Sequence, residues 1–316
     1  MPAVIMTAPS LAQAAVALIE GAGGTLHYTA SYPDEAALVA LAGAVDPVAI
    51  ISRQGAITRR VMEAAPSLRL VARHGVGVDD VDLDAARARH ITVTRAPGSN
   101  TAAVAEHTMA VLLALIKRLP AQAATIAAGG WRGPVMGGDV AGLRLGLVGA
   151  GDIAQAVARL AAAFGMVVTA YARHGVAPSL ASSLGAAPSL ASLLAGSDVI
   201  SLHIPRTPAT MGLIDAAAIA AMPQGAWLIN TSRGGLVDEA ALLTALDCGH
   251  LAGAALDVFA VEPPEVQDRL RIHPAVIVTP HSAGVTPRSL VTMGVTAAEC
   301  VAAVLRGQSP PPACIV

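Results

Sequence analysis

Aromatic side chains are nearly missing from this chain: Phe, Tyr and Trp make up 2% of its 316 residues. Proteins that hold single-stranded nucleic acid stack bases on such rings, and duplex binders carry a basic footprint. The formal net charge is −2, so no nucleic-acid partner is expected. Charge of either sign is scarce, at 13%, against 54% hydrophobic residues. No apolar run reaches the ~18 residues of a bilayer-spanning helix; the longest candidates are 109–116 and 143–148, and no membrane partner is expected. The three cysteines, Cys248, Cys300 and Cys314, are an odd set without metal-ligand spacing. They read as free thiols of a reducing compartment, which predicts a cytoplasmic location and no metal. Residues 1–10 have no basic start, so no signal peptide is expected.

What is abundant is Ala, Val and Leu in many short runs. Runs at 3–6, 25–28, 48–52, 68–73 and 91–94 are rich in β-branched residues and bounded by Gly, Pro or polar residues. An amphipathic stretch at 11–20 follows the first run. Strands alternating with helices predict a parallel α/β sheet. A long helix is expected over 101–119, capped by Asn100 and ended by Pro120, followed by a Gly-rich loop at 127–139. The βα rhythm then restarts: strand 143–148, helix 153–164, strand 167–171, and further strands at 199–203, 227–230, 254–258 and 276–279. A last helix spans 287–306, before a Pro-rich extended tail at 309–312. The restart predicts two α/β units.

The strand at 143–148 runs into Gly149-Ala150-Gly151-Asp152-Ile153-Ala154 and then a helix. In such a turn the first glycine permits the tight bend, the second lets backbone approach a pyrophosphate, and the small third residue allows close helix packing. The helix N-terminus offers free N–H groups to the phosphates. This context predicts dinucleotide binding. An NAD site carries an acid about 20 residues on, for the ribose hydroxyl. Here the second strand ends at Tyr171-Ala172-Arg173-His174. Ala172 stands where the acid is expected, and Arg173 can pair with a 2′-phosphate, so NADP(H) is expected in preference to NAD(H).

Three strings in the second half carry chemistry. Asn230-Thr231-Ser232-Arg233-Gly234-Gly235, Asp257-Val258-Phe259-Ala260-Val261-Glu262-Pro263 and Thr279-Pro280-His281-Ser282 each follow a predicted strand. They therefore lie at the carboxyl edge of the sheet, where open α/β folds bind ligands. Arg233 can grip a carboxylate bidentately, and His281 can carry a proton near neutral pH. Each residue alone has an ordinary structural explanation; the argument is the set of an Arg, an acid and a His beyond successive strands.

With Ala72-Arg73-His74-Gly75-Val76-Gly77-Val78-Asp79-Asp80-Val81-Asp82, Asn100-Thr101-Ala102-Ala103-Val104-Ala105-Glu106-His107-Thr108 and Asp198-Val199-Ile200-Ser201-Leu202-His203-Ile204-Pro205, these strings resemble the D-isomer-specific 2-hydroxyacid dehydrogenases along almost the whole chain. The resemblance implies two Rossmann-like or flavodoxin-like domains with parallel sheets and a cleft between them. Residues 1–100 plus 284–316 would form the substrate domain, and 101–283 the dinucleotide-binding domain. It implies that Arg233 binds the substrate carboxylate, that His281 donates or accepts the proton, and that Glu262 bonds His281 and favours its charged form. Val76 and Gly77 would cradle the carboxylate through their N–H groups, and Asp257 would hold the nicotinamide carboxamide. Gly149, Gly151, Asp152, Ile153, Arg173, Ile204, Thr231 and Ser232 would line the rest of the cofactor. A homodimer formed through the segment after Asn100 is also implied.

The resemblance leaves the acid open. Glyoxylate or hydroxypyruvate needs no second anion site; 3-phosphoglycerate or sulfolactate does, and Arg53, Arg73 and His74 are candidates, each equally explicable as a structural ion pair. Arg206, where an apolar residue is commoner, is either solvated or adds charge near the cofactor phosphates. No appended regulatory domain is expected after the last helix. The competing class is a non-catalytic NAD(H)-sensing corepressor, which the absence of a basic patch disfavours.

Overall fold

Short apolar runs free of polar alternation are what strands buried on both faces require, and they become the strands of two parallel sheets. The computed structural model describes residues 1–131, 133, 135–177 and 184–316. The chain divides into two compact units, residues 1–100 with 285–316, and residues 101–284.

In the first unit β1 (Ala3–Met6), β2 (Thr25–Tyr28), β3 (Ala49–Ser52), β4 (Leu70–Arg73) and β5 (Thr92–Thr94) form a parallel sheet in the order β2-β1-β3-β4-β5. Helices α1 (Gln13–Gly21), α2 (Glu35–Val45), α3 (Arg59–Glu63) and α4 (Leu83–Ala88) connect the strands. Alternate residues serve opposite cores: Val4 and Ile51 face one, Ile5 and Ile50 the other. The order reverses between β1 and β3, which makes the carboxyl ends of that pair a topological switch point.

The second unit opens with α5 (Thr101–Ile116) and α6 (Leu119–Ala127). Strands β6 (Arg144–Val148), β7 (Val167–Tyr171), β8 (Gly185–Ala186), β9 (Val199–Leu202), β10 (Ala226–Asn230), β11 (Leu251–Leu256) and β12 (Val276–Val278) follow. Among them run α7 (Asp152–Ala163), α8 (Leu190–Ala195), α9 (Ala216–Ala220), α10 (Glu239–Asp247) and α11 (Arg269–Ile272). The sheet order is β12-β11-β10-β9-β6-β7-β8, with its switch point between β6 and β9. Small residues of α7 such as Ala154, Val157 and Ala161 pack on one face with Leu145, Leu147 and Val199; Ile200, Leu202 and Leu228 pack on the other. The last helix, α12 (Pro287–Leu305), returns to the first unit and packs on α1 and β4. It starts where a capping box requires: Thr286 Oγ1 accepts from Ser289 N at 3.1 Å, with Pro287 in the first turn.

Three expectations are corrected. Pro120 does not end the helical region. The backbone turns left-handed at Arg118, and Pro120 sits in the first turn of α6, where the missing N–H costs nothing. The expected loop therefore begins where α6 ends; Arg132 and Pro134 within it lie outside the described residues. Asn100 does not cap α5: its Oδ1 is buried and meets no donor among the described residues. Finally, α12 is long and apolar enough by composition to cross a membrane, although half of it is buried within the fold. Its apolarity is spread over Val, Ala, Met and Cys among small polar residues, so no continuous run marked it.

His74, just after β4, is 6% exposed, and its Nδ1 has no hydrogen-bond partner among the described residues. Burial, reinforced by the nearby Arg53 charge, pushes its imidazole down to about 4 from an ordinary value of 6.5. The unfolded chain thus takes up a proton in a range where the fold does not, and stability falls as pH falls through that window. We expect His74 alone to lower the unfolding free energy by about 2 kcal/mol between pH 7 and pH 5. Urea unfolding at both pH values checks this: His74→Leu should lose less stability than the wild type over the same range, and an equal loss would contradict it.

Candidate active site

Where β6 ends, Gly149 takes φ +113°, and a Cβ there would overlap the carbonyl oxygen of His203 just beyond β9. Only glycine lets these two strand ends approach so closely. Gly149 N also donates to Tyr171 O at 2.8 Å, which ties the turn to β7. Gly151 is different. It has ordinary φ, and a Cβ on it would meet nothing within 4 Å. No protein atom requires glycine there; the open space is on the approach to the N-terminus of α7, where Gly151 as N-cap contributes no side-chain bond. A phosphate group fits that description, held by N–H groups and the helix dipole.

Ala154 is fully buried and packs α7 close to the sheet. Asp152 and Ile153 occupy the first turn of α7, and Ile204 lies against the turn with its Cγ2 3.1 Å from where a Gly149 Cβ would be. Burial pushes the His203 imidazole below this turn down to about 4, so it is neutral at physiological pH; its Nε2 pairs with Ser201 Oγ at 2.9 Å. Arg173 follows β7 in an exposed turn, without a side-chain partner among the described residues.

Three loops at the carboxyl ends of β10, β11 and β12 bring the predicted residues together. In the first, buried Asn230 shapes the turn: its Oδ1 accepts from Ser232 N at 3.0 Å and its Nδ2 donates to Arg233 O at 2.8 Å. Thr231 Oγ1 pairs with Thr108 of α5, and Ser232 Oγ donates to Ile204 O. Their hydroxyls are thus engaged within the protein. A Cβ on Gly234 would overlap the carbonyl of Phe259, so this glycine lets the first loop lie on the second.

The second loop carries Glu262, and both of its oxygens are occupied. Oε1 accepts from Phe259 N at 3.0 Å, and Oε2 meets His281 Nδ1 at 2.7 Å. Burial opposes ionisation of this carboxyl. The bond and charge of His281, the Phe259 N–H and the Arg233 guanidinium outweigh it and hold Glu262 below the usual carboxylate range. An ionised carboxylate only accepts, so Nδ1 of His281 carries the proton and Nε2 is left to exchange one. Glu239, at the start of α10, accepts from Ala260 N at 2.7 Å and pins the same loop; burial raises its own carboxyl.

The third loop is held by Asp257, 3% exposed at the end of β11. Its Oδ1 accepts from Thr279 Oγ1 at 2.6 Å and Ser282 N at 2.8 Å, and its Oδ2 from Ala283 N at 2.9 Å. Its backbone carbonyl accepts from His281 N. The carboxylate expected to hold a cofactor amide is here chiefly the anchor of the His281 loop. Sequence reading missed this, along with Asn230, Gly234 and Glu239, because the partners lie far apart in the chain or in backbone atoms.

In the first unit, the N–H groups of Val76 and Gly77 meet no acceptor among the described residues. Two adjacent free donors suit an anion. Arg73 braces the segment from beneath, donating to Gly77 O, Ser52 O and Arg53 O and lying 3.3 Å from Asp80. Arg53 follows β3 at the switch point; its backbone N–H donates to Thr7 Oγ1, and its half-buried guanidinium has no acceptor among the described residues.

The two glycines of the phosphate turn should separate fold from binding. Gly149→Ala is expected to cost about 1–3 kcal/mol of stability through overlap with the β9 end. Gly151→Ala should cost less than about 1 kcal/mol while weakening dinucleotide binding at least ~tenfold. Thermal melts and fluorescence titration with NADH and NADPH check both.

Comparison with known proteins agrees with this geometry. Residues 109–283 match the family described as D-isomer specific 2-hydroxyacid dehydrogenase, NAD binding domain. A D-3-phosphoglycerate dehydrogenase of Mycobacterium tuberculosis is 41% identical over 283 residues, 89% of this chain and 53% of the relative. The chain thus spans about half the length of the curated relatives it matches. A Thermus thermophilus protein of solved structure is 38% identical, with TM-score 0.90 and 99% of each chain covered. A glyoxylate reductase from Paecilomyes thermophila is 27% identical, with TM-score 0.88, covering 98% of this chain and 97% of that one.

Proposed function

We propose that this chain, which belongs to the D-isomer specific 2-hydroxyacid dehydrogenase family, interconverts a D-2-hydroxy acid and its 2-oxo acid by hydride transfer. The observation that carries the reading is the 2.7 Å bond between His281 Nδ1 and Glu262, beside the Arg233 guanidinium, on loops of the sheet that carries the phosphate turn. Bound nicotinamide supplies the hydride in reduction and accepts it in oxidation. Protonated His281 gives its Nε2 proton to the substrate oxygen as negative charge develops, and takes it back in the reverse direction. Glu262 keeps the other nitrogen protonated, fixes the ring and offsets the imidazolium charge. Arg233 holds the carboxylate and stabilises the developing alkoxide. The N–H groups of Val76 and Gly77, in the first unit, are further donors suited to a carboxylate.

The finer substrate reading rests on Arg53. A half-buried guanidinium without an acceptor among the described residues, at the switch point of the first sheet, suits a second anionic group on the acid. A 3-phosphoglycerate-type substrate fits it, and a sulfonate would meet the same chemistry. Glyoxylate and hydroxypyruvate are the alternative, consistent with the name of one solved relative. For the cofactor, Ala172 in place of a ribose-binding acid, followed by exposed Arg173, favours NADP(H), and with it reduction of the 2-oxo acid. NAD(H) remains the alternative within the same fold.

A steady-state panel of glyoxylate, hydroxypyruvate, phosphohydroxypyruvate and sulfopyruvate with NADPH and NADH tests all three levels. We expect turnover of the doubly anionic acids to exceed that of the others, and kcat/KM with NADPH to exceed that with NADH. His281→Asn should keep dinucleotide affinity and lose at least about 100-fold in kcat. Tight dinucleotide binding with no turnover of any acid would favour the sensor reading and overturn this one.

A homodimer formed through the segment after Asn100 is part of the proposal. Helix α6 is apolar yet has no buried residue, and beyond it Trp131 and Met136 are 82% and 84% exposed. A second copy covering them would remove this surface from water. Sedimentation should give a dimer for the wild type and a smaller species for Leu119→Glu with Ile126→Glu; a monomeric wild type contradicts it.

A further inference from the structure

One histidine outside the predicted set is linked to the His281 loop by a directed chain of hydrogen bonds. His107, near the middle of α5, has Nε2 3.1 Å from Thr279 Oγ1 and 3.9 Å from Asp257 Oδ1. Thr279 donates its single hydroxyl proton to Asp257 Oδ1 at 2.6 Å. That hydroxyl can then only accept from His107, so Nε2 of His107 bears a proton. The same Asp257 carboxylate receives the N–H groups of Ser282 and Ala283, and its carbonyl receives that of His281.

These bonds sustain an unfavourable backbone. His281 has φ +50°, a left-handed conformation that a residue with a side chain adopts at a cost. Such a conformation persists only where its surroundings over-determine it, and here the surroundings are largely the two oxygens of Asp257. Without a donor from His107, the Thr279 hydroxyl is free to rotate. Asp257 Oδ1 then loses its shortest bond, in a site too buried for water to replace it easily.

We infer that His107 is a positioning residue for the proton transfer: through Thr279 and Asp257 it holds His281 in its left-handed conformation with Nδ1 on Glu262. The inference rests on the reading of His281 as the proton carrier. It acts on geometry, so its loss reduces turnover and leaves dinucleotide binding intact.

The test uses the full chain with 15N-labelled histidine, as wild type, His107→Leu and His107→Gln. The imidazole signals of His281 are identified by their loss in His281→Asn. His107→Leu is expected to shift or broaden those signals and to lower kcat by about ten- to a hundredfold, with the NADPH dissociation constant within twofold of wild type. His107→Gln keeps an N–H donor toward Thr279 and should recover both readouts. If His107→Leu leaves the signals and kcat within twofold of wild type, whatever its melting temperature, the inference is wrong; it is equally wrong if glutamine restores nothing. Should His107→Leu fail to fold, Thr279→Val and Thr279→Ser take its place: serine should behave as wild type and valine should reproduce the defect, and identical behaviour of the two overturns the inference. The NMR readout needs no substrate, so a chain that reduces no 2-oxo acid refutes the functional reading while the positioning role is still decided.

Discussion

A carboxylate buried at the end of an interior strand must be given donors, or its burial opposes folding. Asp257 is such a group, and among the described residues the hydrogen-bond donors to its carboxylate come from residues 279–283. The strand end and the following loop are therefore not independent: burying Asp257 requires the loop to close over it. That requirement dictates the backbone of His281, including its left-handed φ, and so the direction in which the imidazole leaves the chain. The rest of the candidate site follows from where that ring points.

Glu262 meets the ring because its own loop is fixed from two sides. Glu239 holds Ala260 N, Glu262 itself holds Phe259 N, and Gly234 lets the Arg233 turn rest directly on the Phe259 carbonyl. An Arg, a carboxylate and an imidazole are thereby brought together without substrate. Electrostatic stabilisation is most effective when such charges are already oriented, since no reorganisation is then needed as charge develops. The depressed acidity range of Glu262 reflects the same arrangement: its burial is unfavourable to charge, and the surrounding donors and cations overcome it.

Most of the fold was legible because parallel strands buried on both faces leave continuous apolar runs. Val199–Leu202, fully buried, was plain from its residues alone. Signals that depend on what a residue meets were not. Pro120 reads as a helix end or a helix start, and the left-handed turn at Arg118 decides between them. Arg53 and Arg73 are the same residue type at neighbouring strand ends, yet Arg73 lies opposite Ser52 in the ladder and is drawn into three backbone carbonyls, while Arg53 is not. The motifs at Arg233, Glu262 and His281 were visible as strings beyond strands, but Asp257's partners lie 22 to 26 residues downstream. Only the register of β11 and β12 brings them within reach. His107, on a helix far earlier in the chain, carried no signal in spacing at all.

The bonds that hold Glu262 and His281 lie within the second unit, whereas Arg53, His74 and the N–H groups of Val76 and Gly77 lie in the first. On the proposed reading, the proton-transfer residues and the candidate anion contact are carried by different units. On that reading, a substitution at Arg53 would change which anion is bound without touching a bond that aims the imidazole. On the same reading, a substitution at Asp257 or Glu262 would alter proton transfer for every acid alike. Specificity is a difference of affinities, and a fold that confines that difference to one sheet's switch point can change substrate while its proton-transfer geometry stays fixed. On the proposed reading, the guanidinium of Arg53, which has no acceptor among the described residues, rather than any residue of the His281 loop, is where the choice of acid would be made.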